Sequence, residues 1–201
     1  MKINQFPQYP MSFFCAENIL SNSEIDTILK NVKSLKSQDS KITVGKSESN
    51  DFIQNSSFRT STIKWIPEIP PTEWLYKKLH DCILESNNTW NFTLSSIEEQ
   101  IQYSEYNSTQ KGHYTWHVDI ANDVFALRKL SVIVQLSSSE EYEGGDVEFF
   151  TGGDIDQNKI KAIRNKGSVT VFPSYMLHRV TPVTKGIRKS LVLWVGGTQF
   201  R

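Results

Sequence analysis

A histidine and an aspartate two positions apart, His117 and Asp119, are the residues of this sequence best suited to chemistry. Side chains on a strand alternate between its two faces, so residues two apart share one face. If this segment is a strand, the spacing predicts an imidazole and a carboxylate aimed at one point. These groups would supply two ligands of a 2-His-1-carboxylate iron site, whose third ligand should be a distant histidine.

His178 is the candidate for that third ligand, and Arg188 follows it beyond a Pro- and Gly-containing turn. The turn would let Arg188 lie on a strand folded back beside His178. Two imidazoles and one carboxylate occupy one face of an octahedron and leave three positions for a bidentate 2-oxoacid and dioxygen. The far carboxylate of 2-oxoglutarate needs a buried counter-charge, and an arginine provides a matching planar fork. These four residues predict an Fe(II)- and 2-oxoglutarate-dependent oxygenase.

Two amphipathic helices precede these residues. Ser21 and Glu24 form a capping box that predicts a helix start, and an apolar stripe follows it. A second helix is predicted from near Thr72 to Asn87, with His80 off its apolar stripe and therefore at the surface. Residues 36–57 are polar and are predicted to form a loop with a short strand near Ile42. A loop of this length is often a lid or a binding loop, or is disordered.

Short strands separated by turn signals fill the second half of the chain. The predicted strands are Phe58–Ile66 before the second helix and, after it, Glu99–Tyr106, Thr115–Ile120, Lys129–Leu136, Asp146–Phe150, Lys159–Ile163, Ser168–Phe172, His178–Val180 and Ser190–Val195. Helices followed by about eight short strands favour a mainly β, α+β fold. We expect a double-stranded β-helix, or jelly roll, with the N-terminal helices packed on one sheet.

Length and composition favour one domain over residues 1–201, with a helical part over about 12–90 and a jelly-roll core over about 92–197. The 22 basic and 22 acidic residues balance and form no block, so nothing indicates a nucleic-acid groove. No apolar run is long enough to span a membrane. Cys15 and Cys82 lack metal-site spacing and predict reduced thiols in a cytoplasmic protein.

Five segments together carry a resemblance to a family: Tyr114–Asp119, Arg128–Ser137, Glu143–Val147, Gly167–Ser174 and His178–Thr184 followed by Arg188. In this order they resemble the prolyl 4-hydroxylase-like superfamily of Fe(II)/2-oxoglutarate dioxygenases, and in particular the bacterial PKHD-type hydroxylases. The likeness spans roughly residues 12–196. It does not extend to residues 36–57.

The resemblance implies roles for individual residues. It makes His117, Asp119 and His178 the iron ligands and Arg188 the 2-oxoglutarate clamp. Tyr106 and Gln135 are implied as further contacts of 2-oxoglutarate, and Arg59 as a substrate contact at the mouth of the site. Trp194 is expected to pack against the site floor. The implied cofactors are Fe(II), 2-oxoglutarate and O2, with ascorbate as a candidate reductant.

The expected reaction is hydroxylation of an unactivated C–H bond with release of succinate and CO2. The resemblance favours a prolyl residue of a peptide or protein as substrate; a free amino acid or other small metabolite is the alternative. A nucleic-acid dealkylase is disfavoured because Trp194 stands where such enzymes carry a second arginine. A cupin-like zinc or manganese protein would not need Arg188, and a non-catalytic jelly-roll module would not need the four residues together. Sequence does not indicate the oligomeric state.

Overall fold

The computed structural model describes residues 13–39, 42–43, 52–53, 57–97 and 99–199. It contains two α-helices, α1 (Asn22–Val32) and α2 (Glu73–Asn87). The predicted capping box begins α1, because the Ser21 backbone N–H donates to Glu24 Oε2 at 2.7 Å and the Glu24 N–H donates to Ser21 Oγ at 3.3 Å. Neither helix has the length and apolar character needed to cross a bilayer.

The described chain contains sixteen strands. They are β1 (Phe14–Ala16), β2 (Gln38–Asp39), β3 (Ile42–Thr43), β4 (Phe52–Ile53), β5 (Arg59–Thr60), β6 (Thr62–Ile66), β7 (Leu94–Ile97), β8 (Ile101–Asn107), β9 (His113–His117), β10 (Arg128–Gln135), β11 (Tyr142–Gly144), β12 (Val147–Phe150), β13 (Lys159–Lys161), β14 (Val169–Pro173), β15 (His178–Val180) and β16 (Val183–Gly197).

The strands form two main antiparallel sheets. The larger sheet has the order β1-β14-β10-β16-β8-β6-β2, with β7 and β11 also paired to β16. The smaller sheet has the order β13-β12-β15-β9-β5, and β3 pairs separately with β4. This is the expected mainly β jelly roll.

Alternation along β10 shows how the larger sheet separates two environments. Leu130, Val132 and Val134 belong to an apolar cluster that also contains the buried stripes of both helices. The intervening residue Ile133 belongs to a second cluster, formed with residues of the smaller sheet. The helices therefore cover one face of the larger sheet, and the opposite face encloses a space between the two sheets.

The prediction of one continuous strand over Phe58–Ile66 is wrong, because the structure has two strands there, β5 and β6. Thr60 pairs with His113 in the smaller sheet, whereas Thr62 pairs with Glu105 in the larger one. The chain crosses between the sheets at Ser61, because each half finds its hydrogen-bond partners in a different sheet.

Several other boundaries also differ from the predictions. The short strands β1, β7 and β11 are absent from the predicted set, and β16 extends well beyond the predicted Ser190–Val195. Within the predicted loop at 36–57, β2, β3 and β4 are strands, whereas residues 40–41, 44–51 and 54–56 lie outside the described chain. Most of the loop considered as a lid thus lies outside the described residues. His80 is exposed beside Asp81, as predicted.

Candidate metal centre and cosubstrate pocket

His117, Asp119 and His178 converge in the smaller sheet. His117 ends β9 and is paired directly with His178, the first residue of β15. Asp119 Oδ1 lies 3.6 Å from His117 Nε2, and Asp119 Oδ2 lies 3.6 Å from His178 Nε2. The ligand atoms of all three residues lie within 4.8 Å of one another.

Asp119 reaches this position in a way that strand periodicity did not predict. The strand expected to run to Ile120 stops at His117, and Asp119 lies in a bend beyond it. Its backbone N–H donates to Ser174 O at 2.9 Å, and its carbonyl accepts a hydrogen bond from Arg128 Nη1 at 3.0 Å. Tertiary hydrogen bonds, rather than a strand ladder, therefore hold the carboxylate beside the two histidines.

Both histidines present the same ring nitrogen to the centre. His117 Nδ1 lies 2.7 Å from Thr115 O, and His178 Nδ1 lies 2.8 Å from Met176 O. A carbonyl can only accept, so each Nδ1 carries the proton and each Nε2 keeps its lone pair. Metal-binding histidines are oriented in this manner by their second nitrogen.

Charge in this cluster favours metal binding. Burial, with the neighbouring His178, lowers the pKa of His117 to about 3, so this imidazole is neutral at physiological pH. Burial opposes ionisation of Asp119, but the two histidines and a hydrogen bond to Ser131 outweigh it and lower the pKa of the carboxyl. The centre therefore offers two imidazole nitrogen donors and one anionic oxygen donor.

This donor set fits a ferrous ion. Ligand bonds of about 2.0–2.2 Å at right angles place neighbouring donor atoms about 3 Å apart. The observed 3.6 Å separations are slightly wider, and small side-chain rotations would close the difference. An ion held by these three groups on one side keeps its remaining positions free for other ligands.

Arg188 is the most deeply buried of the predicted polar residues. It is 2% exposed, lies on β16 directly opposite Tyr106 of β8, and has Cζ 5.5 Å from the tyrosine ring centroid. Its Nη1 donates to Ser190 Oγ at 3.3 Å, and no ion pair of the described residues includes it. Among the described residues, the buried charge of Arg188 is therefore not balanced by a carboxylate, which is costly for a guanidinium.

A cavity between the sheets is lined by Arg188 and Gln135. Gln135 Nε2 donates to the Tyr142 hydroxyl at 2.9 Å, so the amide group is already oriented by a neighbour. Ser168 and Thr170, beside β10 in the same sheet, also line this cavity. Its lining offers a cation and several hydrogen-bonding groups, which suits a small polar anion.

Arg59 lies in the smaller sheet, on the strand that pairs with β9. It sits in β5 with its Cζ 4.7 Å from the Tyr114 ring centroid, and the Tyr114 ring stacks on His117 with centroids 3.4 Å apart. Trp194 is 7% exposed and packs under the guanidinium of Arg128, 4.0 Å from ring centroid to Cζ. Arg128 in turn donates to the Asp119 carbonyl, and packing of Trp194 at the floor of the site stays a prediction.

Sequence reasoning missed the residues that hold Asp119. Arg128 lies between the rings of Phe125 and Trp194 and pairs with Glu99. The Ser131 hydroxyl is 2.9 Å from that of Ser174, and both side chains are completely buried. A basic residue at the start of a buried strand was the available signal for Arg128. Nothing in the sequence distinguishes the two serines.

The known proteins that resemble this chain in sequence are named as oxygenases or hydroxylases. Residues 101–196 match the 2OG-Fe(II) oxygenase superfamily. A PKHD-type hydroxylase of Alteromonas mediterranea is 37% identical over 99 residues, which are 46% of this chain and 41% of that protein. One of Teredinibacter turnerae is 29% identical over 143 residues, 68% and 62% of the two chains. The chain spans about half the length of the curated relatives it matches.

Solved structures resemble this fold over nearly its whole length. A Pseudomonas putida prolyl-4-hydroxylase superimposes with a TM-score of 0.67 at 16% identity, covering 93% of each chain. A Trichoplax adhaerens prolyl hydroxylase, solved with a peptide fragment of a hypoxia-inducible factor, gives 0.67 at 18% identity, covering 92% of this chain and 84% of that one. At these identities the likeness concerns the fold.

Proposed function

We propose that this protein is an Fe(II)- and 2-oxoglutarate-dependent hydroxylase of the 2OG-Fe(II) oxygenase superfamily, whose family model matches residues 101–196. One observation carries the proposal: the His117–Asp119–His178 cluster lies in the same inter-sheet region as Arg188, which is buried and forms no ion pair with any residue that the structure describes. A purely structural arginine at 2% exposure would be expected to have a carboxylate partner.

In this proposal His117 Nε2, His178 Nε2 and one Asp119 carboxylate oxygen hold the iron. Bound iron supplies dioxygen activation and the oxidation of a C–H bond, with 2-oxoglutarate converted to succinate and CO2. Arg188 binds the far carboxylate of 2-oxoglutarate as a fork, beside Tyr106, and Gln135 contributes an oriented amide in the same pocket. The sheets exclude water from the pocket, which strengthens these polar contacts.

The substrate we propose is a prolyl residue of a peptide or protein. Support comes from the names of the similar proteins, which are PKHD-type hydroxylases and prolyl hydroxylases, one of them crystallised with a peptide. We treat the helices and the jelly roll as one domain, since a single apolar cluster joins them. Both cysteines are free, which fits the predicted reducing cytoplasm. Ascorbate is the candidate reductant.

An anaerobic titration tests this function. Metal-free protein is titrated with Fe(II) and then with 2-oxoglutarate, and the weak visible charge-transfer band of a chelated 2-oxoacid is followed. We expect the band in the wild type and its loss in His178→Ala, whereas His80→Ala, an exposed histidine on α2, keeps it. Iron binding without a band would overturn the assignment of a 2-oxoacid pocket, and a failure to bind iron would overturn the metal centre.

A further inference from the structure

Carboxylate partners divide the arginines of the described chain into two groups. Three of them pair with an acidic side chain: Arg128 with Glu99, Arg164 with Asp146 at 2.8 Å, and Arg179 with Glu148 at 2.7 Å. Within the same residues, Arg59 and Arg188 form no ion pair. Yet these two are among the buried residues, at 8% and 2% exposure.

Burial without a counter-ion is costly for a guanidinium, which cannot lose its proton to escape the cost. Two such groups near one metal centre therefore indicate two sites for anions. The proposed function accounts for Arg188, which takes the far carboxylate of 2-oxoglutarate. It leaves Arg59 without an anionic partner among the described residues.

The surroundings of Arg59 leave most of its fork available. Among the described residues its guanidinium makes one hydrogen bond, from Nε to Ser61 Oγ at 3.0 Å. Its Cζ lies over the Tyr114 ring, a contact that orients the group but does not neutralise its charge. The two terminal nitrogens can therefore bind a carboxylate in the bidentate geometry that arginine favours.

Arg59 is also close to the reacting centre. Its Cζ is 4.7 Å from the Tyr114 ring centroid, which is 3.4 Å from that of His117. A carboxylate bound there lies within about 10 Å of the metal site, and an extended peptide covers that distance in about three residues. The bound anion and the hydroxylated carbon can thus belong to one small molecule or to one short peptide segment.

We propose that Arg59 is a substrate-binding residue that recognises a carboxylate close to the hydroxylated position. The substrate is accordingly an acid, either a peptide with an acidic residue or free C-terminus near the target, or a small carboxylic acid. Assigning this anion to the substrate rests on the proposed function. The presence of an anion site at Arg59 does not.

The test uses matched acid and amide ligands on the intact protein loaded with Zn(II), as an inert metal, and with saturating 2-oxoglutarate, so that Arg188 is already occupied. Binding of N-acetylglycine and of N-acetylglycinamide is measured by ligand-observed NMR. We expect the acid to bind at least about tenfold more tightly than the amide, because a charge-assisted fork is replaced by neutral hydrogen bonds. Arg59→Gln should remove this preference, and Arg59→Lys should keep part of it.

Lys111→Gln is the control, since it removes one exposed positive charge from the turn before β9 and should leave the preference unchanged. Equal binding of acid and amide, or a preference that survives Arg59→Gln, would overturn the proposal and leave Arg59 as a packing residue on Tyr114. Persistence of the preference in a protein that forms no 2-oxoglutarate band would instead overturn the proposed function alone.

Turnover then separates the two sources of the carboxylate. With Fe(II) restored, succinate formation is compared for N-acetylproline and for the amidated tripeptides acetyl-Pro-Ala-Glu and acetyl-Pro-Ala-Gln. Stimulation by the glutamate peptide over its glutamine twin supports an acidic side chain, and stimulation by N-acetylproline alone supports a free acid. Equal stimulation by the two tripeptides, with none by N-acetylproline, contradicts recognition of a carboxylate.

Discussion

Replacing Arg188 with methionine should produce two effects of opposite kind. The variant keeps an unbranched side chain of similar length but removes the buried charge. It should bind 2-oxoglutarate far more weakly, because the far carboxylate of this ligand would be buried without a counter-ion. At the same time it should leave the metal-free protein as stable as the wild type, or more stable, because an unpaired guanidinium no longer has to be desolvated on folding.

The size of the binding loss follows from the contacts available. A fork of two charge-assisted hydrogen bonds contributes about 1.5–3 kcal/mol for each bond. The lower half of that range, about 3–4 kcal/mol in all, corresponds to a loss of about 100- to 1000-fold in affinity. The free energy of unfolding should fall little, because the substitution removes only one described hydrogen bond of the guanidinium, to the Ser190 hydroxyl at 3.3 Å.

Anaerobic Fe(II) titration with 2-oxoglutarate measures the first effect, and urea denaturation of the metal-free protein measures the second. Arg128→Met is the matched control: it removes the partner of Glu99 and of the Asp119 carbonyl, so it should cost about 1–3 kcal/mol of unfolding free energy. A loss of 2-oxoglutarate affinity below about tenfold in Arg188→Met would refute the assigned role. So would a stability loss as large as that of Arg128→Met.

Three further perturbations test other parts of the structure. Asp119→Ala should abolish succinate formation and iron binding together; turnover at the wild-type rate would refute its role as a ligand. Ser131→Ala should weaken Fe(II) binding by about 10- to 100-fold, since it frees the Asp119 carboxylate, whereas Ser104→Ala, another buried serine on the same sheet, should not. Glu24→Gln should lower the unfolding free energy by about 1 kcal/mol at pH 7, as the capping box and the Lys78 ion pair are partly exposed. Its Lys78 partner lowers the pKa of Glu24 to about 2, so the difference from wild type should fade as pH falls from about 4.5 to 2; a constant difference in urea melts would contradict this.

Local patterns in the sequence were sufficient for the helices and most strands. The Ser21–Glu24 capping box and the apolar spacing of α2 involve residues within one or two turns, so their interactions do not depend on the rest of the chain. The strand β15 was predicted with its bounds, because turn residues flank it on both sides. The combination of His117, Asp119, His178 and Arg188 indicated the chemistry, since few functions need those groups in that order.

Contacts between distant parts of the chain decided the rest. Strand periodicity placed Asp119 on β9, but the carboxylate is positioned by Ser174 and Arg128, which belong to other elements. Ser61 reads as the middle of one strand, yet the chain changes sheets there because its neighbours pair with different strands.

The sequence by itself determined which groups could bind iron and 2-oxoglutarate, because side-chain chemistry is carried by residue type. Only the tertiary structure decided which charges are compensated. All five described arginines are alike as residues, and their burial and carboxylate partners are set by packing between strands far apart in sequence. That packing leaves Arg59 and Arg188 buried without a carboxylate among the described residues. Because a buried guanidinium is stabilised by an anion, we expect an anionic ligand to bind at these two positions.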